Sequence, residues 1–172
     1  KAVKIGFVVN SVQTEREYYT TTRMAVASMG RGHEVWTINV DDLGLSADQQ
    51  VTARAHMAPK KRYKSHATYL NDLRGPQARV ERITVDELDV LMLRNDPADD
   101  AARRPFAQTA GITFGLMAVR AGVIVVNHPE GLAKALNDVE SPALTRDGAV
   151  IGTPMYLAPE AGLLAGPVGD RA

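Results

Sequence analysis

The sequence predicts an α/β fold in which helices flank a mainly parallel β-sheet. Three apolar, β-branched runs are separated by stretches with helical spacing, and this alternation is typical of βαβ units. The runs are VKIGFVV (3–9), DVLML (89–93) and GVIVV (122–126). Continuous apolar runs of this kind indicate strands that are buried on both faces of a sheet.

The first βαβ unit is predicted in about the first 40 residues. Its opening strand, Val3 to Val9, is followed by a polar loop. A helix is predicted over Thr20 to Met29, because its apolar residues recur at helical spacing and Gly30 follows as a helix-ending residue. The run HEVWTINV, from His33 to Val40, is predicted to be the second strand. Strand, helix and strand in this order favour parallel pairing.

The segment from Asp41 to Thr84 interrupts this rhythm, and we expect it to be an excursion containing a hairpin or loop. It carries a short strand-like run at Val51 to Ala55, an amphipathic stretch at Tyr69 to Leu73, and a polar-apolar alternation at Val80 to Val85. The doubly wound pattern then resumes with the strand Asp89 to Leu93.

Two helices and one strand complete the predicted domain. We expect a helix from about Ala101 to Arg120, then the strand Gly122 to Val126. A short helix opens in HPEGLAKAL, where Pro129 stands near the start, a position at which proline is tolerated. Glycine and turn residues become frequent after Asp138, so residues 1–140 are predicted to form one domain and residues 141–172 an irregular C-terminal tail.

Composition and charge narrow the class of protein. A chain of 172 residues is long enough for one core. Its 20 basic and 20 acidic residues cancel, which leaves no overall field for nucleic acid or an anionic membrane. No apolar stretch reaches the roughly 20 residues of a membrane-spanning helix. The absence of cysteine excludes thiol chemistry and fits a cytoplasmic protein.

The ends of the predicted strands carry the candidate site, because ligands of open α/β sheets bind beyond the carboxyl ends of the strands. In LRNDPADD a buried strand is followed by Arg94, Asn95 and Asp96. An arginine fork can hold a carboxylate bidentately, and Asp96 can orient that fork or receive an ammonium group. The structural alternative is that Asp96 caps a turn and Arg94 forms an ion pair.

Three further candidates follow other strands: Asn10 after the first, and Asn127 and His128 after the last. A histidine in such a position is either a functional group or a turn residue at a helix start. The four histidines show no HxxxH or HxH spacing, so no metal site is predicted. The sequence also lacks the glycine-rich motifs GxGxxG and GxxxxGK[ST], so no cofactor is expected in this chain.

The basic run KKRYK, from Lys60 to Lys64, has two interpretations. It can form a surface for an anion around Tyr63, or it can be a solvated loop. One aromatic residue among four basic residues does not make a nucleic-acid stripe, so we predict no nucleic-acid partner.

Four blocks resemble the N-terminal domain of prokaryotic glutathione synthetase and related ATP-grasp carboxylate-amine ligases. They are KIGFVVN, TTTR with RGHEVW, ELDVLMLRNDP, and GVIVVNHPEGLAKALN, in order between about Val3 and Asn137. The resemblance implies a Rossmann-like, pre-ATP-grasp domain that helps to bind a small peptide or amino-acid substrate and often forms a homodimer. It also implies that six residues line the acceptor side of the cleft: Arg94, Asn95, Asp96, Asn127, His128 and Asn10.

The resemblance ends near Asp138, before the segments that bind ATP and magnesium in the family. We therefore expect no catalytic residue in this chain, no activity of the chain alone, and ATP and magnesium only with a separate or missing grasp domain. The alternative is a stand-alone binding or dimerisation module.

The tail carries a second resemblance. The segment LTRDGAVIGTPMYLAPE, from Leu144 to Glu160, is similar to the end of a bacterial serine/threonine kinase activation segment. The phosphate loop, strand lysine, catalytic-loop aspartate and DFG metal ligand that a kinase also needs are absent, so a kinase fragment ranks third. The two resemblances meet near Pro142 to Asp147, as expected of a fusion, a truncation or a misassembled gene.

Overall fold

The computed structural model describes residues 1–100 and 104–140. Within them, six strands form one sheet: β1 (Lys4–Val9), β2 (Glu34–Leu45), β3 (Val51–Met57), β4 (Arg79–Thr84), β5 (Val90–Leu93) and β6 (Ile124–Val126). The helices of the same residues are α1 (Thr20–Gly30), α2 (His66–Arg74), α3 (Pro97–Asp100), α4 (Pro105–Arg120) and α5 (Pro129–Glu140). A 3₁₀ turn, Val85–Glu87, joins β4 to β5.

The sheet has the order β4-β3-β2-β1-β5-β6. Strand β1 pairs in parallel with β2 and β5, and β5 pairs in parallel with β6. The predicted α/β fold with a Rossmann-like, mainly parallel sheet is therefore confirmed. Because the four parallel strands run in the same direction, their carboxyl ends meet at one edge.

The predicted excursion over 41–84 joins the same sheet as antiparallel strands. Strand β2 continues past Val40 to Leu45, with a shift of register between Ile38 and Leu43. It then turns back into β3, and β3 pairs antiparallel with β4. Helix α2 lies between β3 and β4 in the chain. The two antiparallel strands extend the sheet beyond its parallel half.

Helix α4 begins later than the sequence analysis predicts. We expected it from about Ala101, whereas it begins at Pro105, and a separate short helix occupies Pro97–Asp100. Proline favours the first turn of a helix, and the residue before a proline avoids helical dihedral angles. Accordingly, Arg104 is non-helical, with φ −141° and ψ 71°.

Two apolar clusters cover the two faces of the sheet. Along β1 the side chains alternate, so that Phe7 and Val9 pack with α1 and α2, while Val8 packs on the face covered by α4. Helix α4 meets its face through small buried residues: Ala107, Ala110, Gly111, Gly115 and Ala118. Small residues allow α4 to lie close to the end of β5, where the candidate site is located.

One compact unit spans Lys1–Ala133, and the second unit begins at Lys134. Among the described residues, no helix combines the length and the apolar character needed to cross a membrane. The predicted tail over 141–172 lies outside the described residues.

Candidate functional site at the sheet edge

The carboxyl ends of β1 and β5 are joined by a reciprocal pair of hydrogen bonds. Nδ2 of Asn10 donates to the backbone oxygen of Asp96 at 2.7 Å, and the backbone N–H of Asp96 donates to Oδ1 of Asn10 at 2.7 Å. Just before this pair, the N–H of Arg94 donates to the carbonyl of Val8 at 2.8 Å. The Asn10 amide therefore extends the backbone pairing of the two strands by one further step.

Arg104 connects three elements around that junction. Its Nε and Nη2 donate to Oδ1 of Asp100 at 3.0 and 2.7 Å, and Nη2 also donates to the carbonyl of Asn10 at 2.9 Å. Its Nη1 donates at 2.5 Å to Oδ2 of Asp41, which lies within β2. Asp100 is 3% exposed, and its Oδ2 accepts from Nδ2 of Asn10 at 2.8 Å. This arrangement, the Arg104 cluster, fixes the edge.

The Arg104 cluster was not predicted from the sequence. Asp100 and Arg104 stand four residues apart in PADDAARRP, which is a spacing that allows an ion pair on a helix, but nothing local shows that the pair faces Asn10. Asn10, in contrast, was predicted and lies at this edge. Both Oδ1 and Nδ2 of its amide are bonded to protein groups, so in this structure Asn10 holds the carboxyl ends of β1 and β5 together.

The Arg94 side chain is restrained only through its Nε. Its Nε donates to Oγ1 of Thr21 in the first turn of α1 at 3.3 Å. In the described part of the chain, its two terminal nitrogens have no hydrogen-bond partner and no carboxylate within ion-pair distance, so the ion pair of the structural alternative is not found there. The half-buried guanidinium can therefore accept an anionic ligand.

Asp96 follows the structural alternative that the sequence left open. Its Oδ1 accepts a hydrogen bond from the N–H of Ala98 at 2.9 Å, which caps the start of α3. The residue is exposed, so its side chain can also meet solvent or a ligand.

Asn95 is buried against α4. It is 5% exposed, and its Oδ1 has no hydrogen-bond partner among the described residues. A Cβ atom at Gly111 would lie 2.8 Å from that oxygen and 3.1 Å from Nδ2. The amide therefore packs against the helix at a glycine, where no side chain intervenes, and leaving its oxygen unpaired costs about 1–3 kcal/mol.

Replacing Gly111 by alanine is expected to lower the free energy of unfolding by about 1–3 kcal/mol, because Asn95 must move from a packed position. Urea denaturation measures the change. Gly30→Ala is the matched control: nothing lies within 4 Å of its Cβ position, so it should be neutral or slightly stabilising. If both variants lose the same stability, the contact with Asn95 is not the cause. In Asn95→Ala the cost of Gly111→Ala should largely disappear.

Asn127 and His128 occupy the turn between β6 and α5. Asn127 has a positive φ of 61°, and its Nδ2 donates to the carbonyl of Leu93 at 2.7 Å, which ties the end of β6 to the end of β5. Nδ1 of His128 accepts from the N–H of Glu130 at 3.4 Å. His128 thus stands as a turn residue at a helix start, the structural alternative for this position, and its exposed ring faces solvent.

Glu15, in the loop between β1 and α1, was not predicted. It is 9% exposed, and its Oε2 accepts one long hydrogen bond, 3.5 Å, from Oγ1 of Thr22. Burial raises the pKa of this carboxyl to about 7, although Thr22, Arg94 and Arg74 oppose the shift. No periodic pattern in the sequence marks such a loop residue.

The basic run Lys60 to Lys64 is partly neutralised by α2. Nζ of Lys60 lies 2.8 Å from Oδ2 of Asp72, and the hydroxyl of Tyr63 donates to the same oxygen at 3.0 Å. These contacts favour the interpretation of the run as a surface loop, with Lys60 and Tyr63 fastened to α2.

A family model matches most of this chain. The model of the family described as prokaryotic glutathione synthetase, N-terminal domain, matches residues 3–133. No curated protein matches the chain. The family match stops before the kinase-like segment Leu144 to Glu160, which gains no support from it and lies outside the described residues.

Proposed function

The chain belongs to the family of the prokaryotic glutathione synthetase N-terminal domain, and from this we propose that it binds the carboxylate of a small peptide or amino acid for an ATP-dependent carboxylate-amine ligase. The proposed site is the carboxyl edge of the sheet. The observation that carries it is Arg94, a half-buried guanidinium with no anionic partner among the described residues.

The surrounding contacts support a preorganised role for Arg94. Thr21 holds its Nε, and the backbone of Arg94 continues the pairing of β1 with β5. The Arg104 cluster fixes the neighbouring turn. A guanidinium that is restrained by its inner nitrogen and free at the outer two can form a bidentate pair with a carboxylate without losing much side-chain entropy.

We propose that magnesium and ATP bind outside this domain. In residues 1–100 and 104–140, no group of three histidine or acidic side chains is placed to hold a metal ion. The sequence also has no glycine-rich phosphate loop. We therefore assign phosphorylation of the carboxylate and attack by the amine to a grasp domain, either separate or elsewhere in a longer protein, and propose that this domain alone does not turn over.

Calorimetric titration with γ-glutamylcysteine tests the proposal. Arg94→Met should weaken binding about tenfold or more, because it removes a charge-assisted bidentate pair worth about 1.5–3 kcal/mol. Arg120→Met, in the exposed last turn of α4, is the control and should leave the affinity unchanged. If the wild type binds the dipeptide and Arg94→Met binds it equally well, the carboxylate does not lie at Arg94.

A further inference from the structure

A groove of about 240 Å³ lies between the β1–α1 loop and α2. The residues that matter for its chemistry are Glu15, Arg16, Glu17 and Tyr18 from the loop, and Asn71 and Arg74 from α2. Neither Arg94 nor the Arg104 cluster lines it. The groove is therefore a different surface from the proposed carboxylate site, although the charge of Arg94 acts on Glu15.

The carboxyl of Glu15 has few donors for its depth of burial. It accepts one 3.5 Å hydrogen bond at Oε2, and within the described chain Oε1 accepts none and no cation comes within ion-pair distance. An ionised carboxylate normally requires two or more donors when it is removed from water. Because Glu15 lines the groove, a ligand bound there can supply the N–H donors that the carboxyl lacks.

Arg74 does not supply these donors, because it is committed to the backbone. Its Nε donates to the carbonyl of Val12 at 2.9 Å, and its Nη2 donates to the carbonyl of Glu15. These bonds hold the loop against α2 and give the groove a fixed shape. The ordering of the loop is thus already achieved before a ligand arrives, which favours binding.

The outer part of the groove offers further contacts for a cation. Tyr18 is 70% exposed and presents an aromatic ring, Glu17 adds an exposed carboxylate, and Asn71 adds an exposed amide. Arg16 is exposed and can turn into solvent or meet an anionic group of the ligand. We propose that this groove binds the protonated amino group of a small primary amine, with Glu15 as its counter-ion.

Proton linkage follows from the surroundings of Glu15. The groups that act on it are Thr22 on α1, Arg74 and Tyr69 on α2, and Arg94 after β5. Because burial raises its pKa to about 7, the carboxyl is partly protonated at neutral pH. An ammonium ligand favours the ionised form, so binding should release a proton below about pH 7 and strengthen as the pH rises through this value.

The test uses the full chain and three probes: n-butylamine, 4-aminobutyrate and butyrate. Each is titrated by calorimetry at pH 8 and at pH 6, in two buffers at each pH so that proton release can be measured. Both amines should bind the wild type and weaken about tenfold or more in Glu15→Gln. Butyrate should show no dependence on Glu15. Tyr18→Ala, which alters an exposed ring, should also weaken amine binding without affecting folding. Asp86→Asn is the charge-matched control and should change nothing.

Comparison of the probes also identifies the kind of amine that binds. Tighter binding of 4-aminobutyrate than of n-butylamine assigns the groove to zwitterions, with Arg16 receiving the carboxylate, whereas equal binding assigns it to simple amines. The proposal is overturned if neither amine binds at millimolar concentration, or if a folded Glu15→Gln binds them as tightly as the wild type. It is equally overturned if proton release at pH 6 is the same in both proteins.

Discussion

Replacing Arg104 by methionine is expected to lower the free energy of unfolding by about 2–4 kcal/mol. Methionine keeps much of the volume but removes the cation that faces Asp100, whose side chain is 5% exposed. An unpaired buried carboxylate then remains, and removal of one partner of a buried pair is strongly destabilising. Urea denaturation monitored by the fluorescence of Trp36, which is buried in the sheet, measures the change.

Two comparisons separate the buried contact from general loss of charge. Asp41→Asn removes the ion pair between Arg104 and Asp41, whose side chains are 28% and 34% exposed. This change should lower the free energy of unfolding by about 1 kcal/mol or less. Arg120→Met removes an exposed arginine from the same helix and should cost still less. A loss in Arg104→Met no larger than in Arg120→Met would contradict the role of the cluster.

The double variant Arg104→Met with Asp100→Asn tests the mechanism directly. If the cost arises from the orphaned carboxylate, neutralising Asp100 should recover part of the stability that Arg104→Met loses. The bond from Nδ2 of Asn10 to the Asp100 side chain can persist, because asparagine keeps a carbonyl oxygen. Strict additivity of the two changes would show that Arg104 stabilises the edge through the Asn10 carbonyl or through packing.

The fold was largely predictable because its strands depend on local chemistry. The runs that became β1 and β5 are continuous and apolar, as strands covered on both faces must be. The extension of β2 to Leu45 was not predictable in this way. Its residues 41–45 include two aspartates and a glycine, and they are extended because β3 supplies an antiparallel partner. Such pairing is a property of the sheet and not of the segment.

The candidate site was predictable only in part, for the same physical reason. The position of Asn10, Arg94 and Asp96 at one edge follows from parallel pairing alone. Arg104, however, meets Asn10 and Asp41 across 94 and 63 residues of chain, and no local motif encodes those contacts. Likewise, Asn95 sits in the most informative motif of the sequence, yet its amide is packed on Gly111 because α4 approaches closely there.

Replacing Glu15 by glutamine is expected to stabilise the protein at pH 8 and to remove a dependence of stability on pH. The folded-state pKa of about 7 lies above the ordinary value of 4.5 that the residue regains when the chain unfolds. Between these values the folded protein binds more protons, so the wild-type free energy of unfolding should fall as the pH rises from about 4.5 to 7 and then level off. Below about pH 4.5 the effect vanishes.

The magnitude is large enough to measure. The difference between a pKa of about 7 in the folded state and 4.5 in the unfolded state corresponds to roughly 3 kcal/mol at pH 8. Glutamine cannot ionise, so the variant does not carry this cost. Denaturation curves at several pH values between 4.5 and 8.5 should therefore show a gap between variant and wild type that widens with pH. Glu17→Gln, in the same loop but exposed, is the control for the change in net charge. Parallel curves for Glu15→Gln would contradict the assigned pKa.

The same experiment links this stability cost to the groove. A ligand that binds only the folded protein stabilises it by RT ln(1 + [L]/Kd), so the stabilisation grows with the ligand concentration relative to Kd. At pH 8, n-butylamine at high concentration should therefore restore much of the stability that the wild type has lost between about pH 4.5 and 7, because the ammonium group compensates the ionised Glu15. The same concentration of n-butylamine should stabilise Glu15→Gln much less, because the variant binds the amine more weakly. If Glu15 is a binding residue, it should weaken the fold near neutral pH and the amine should remove that cost. A carboxyl that is merely buried by packing would show the same pH dependence with no response to the amine.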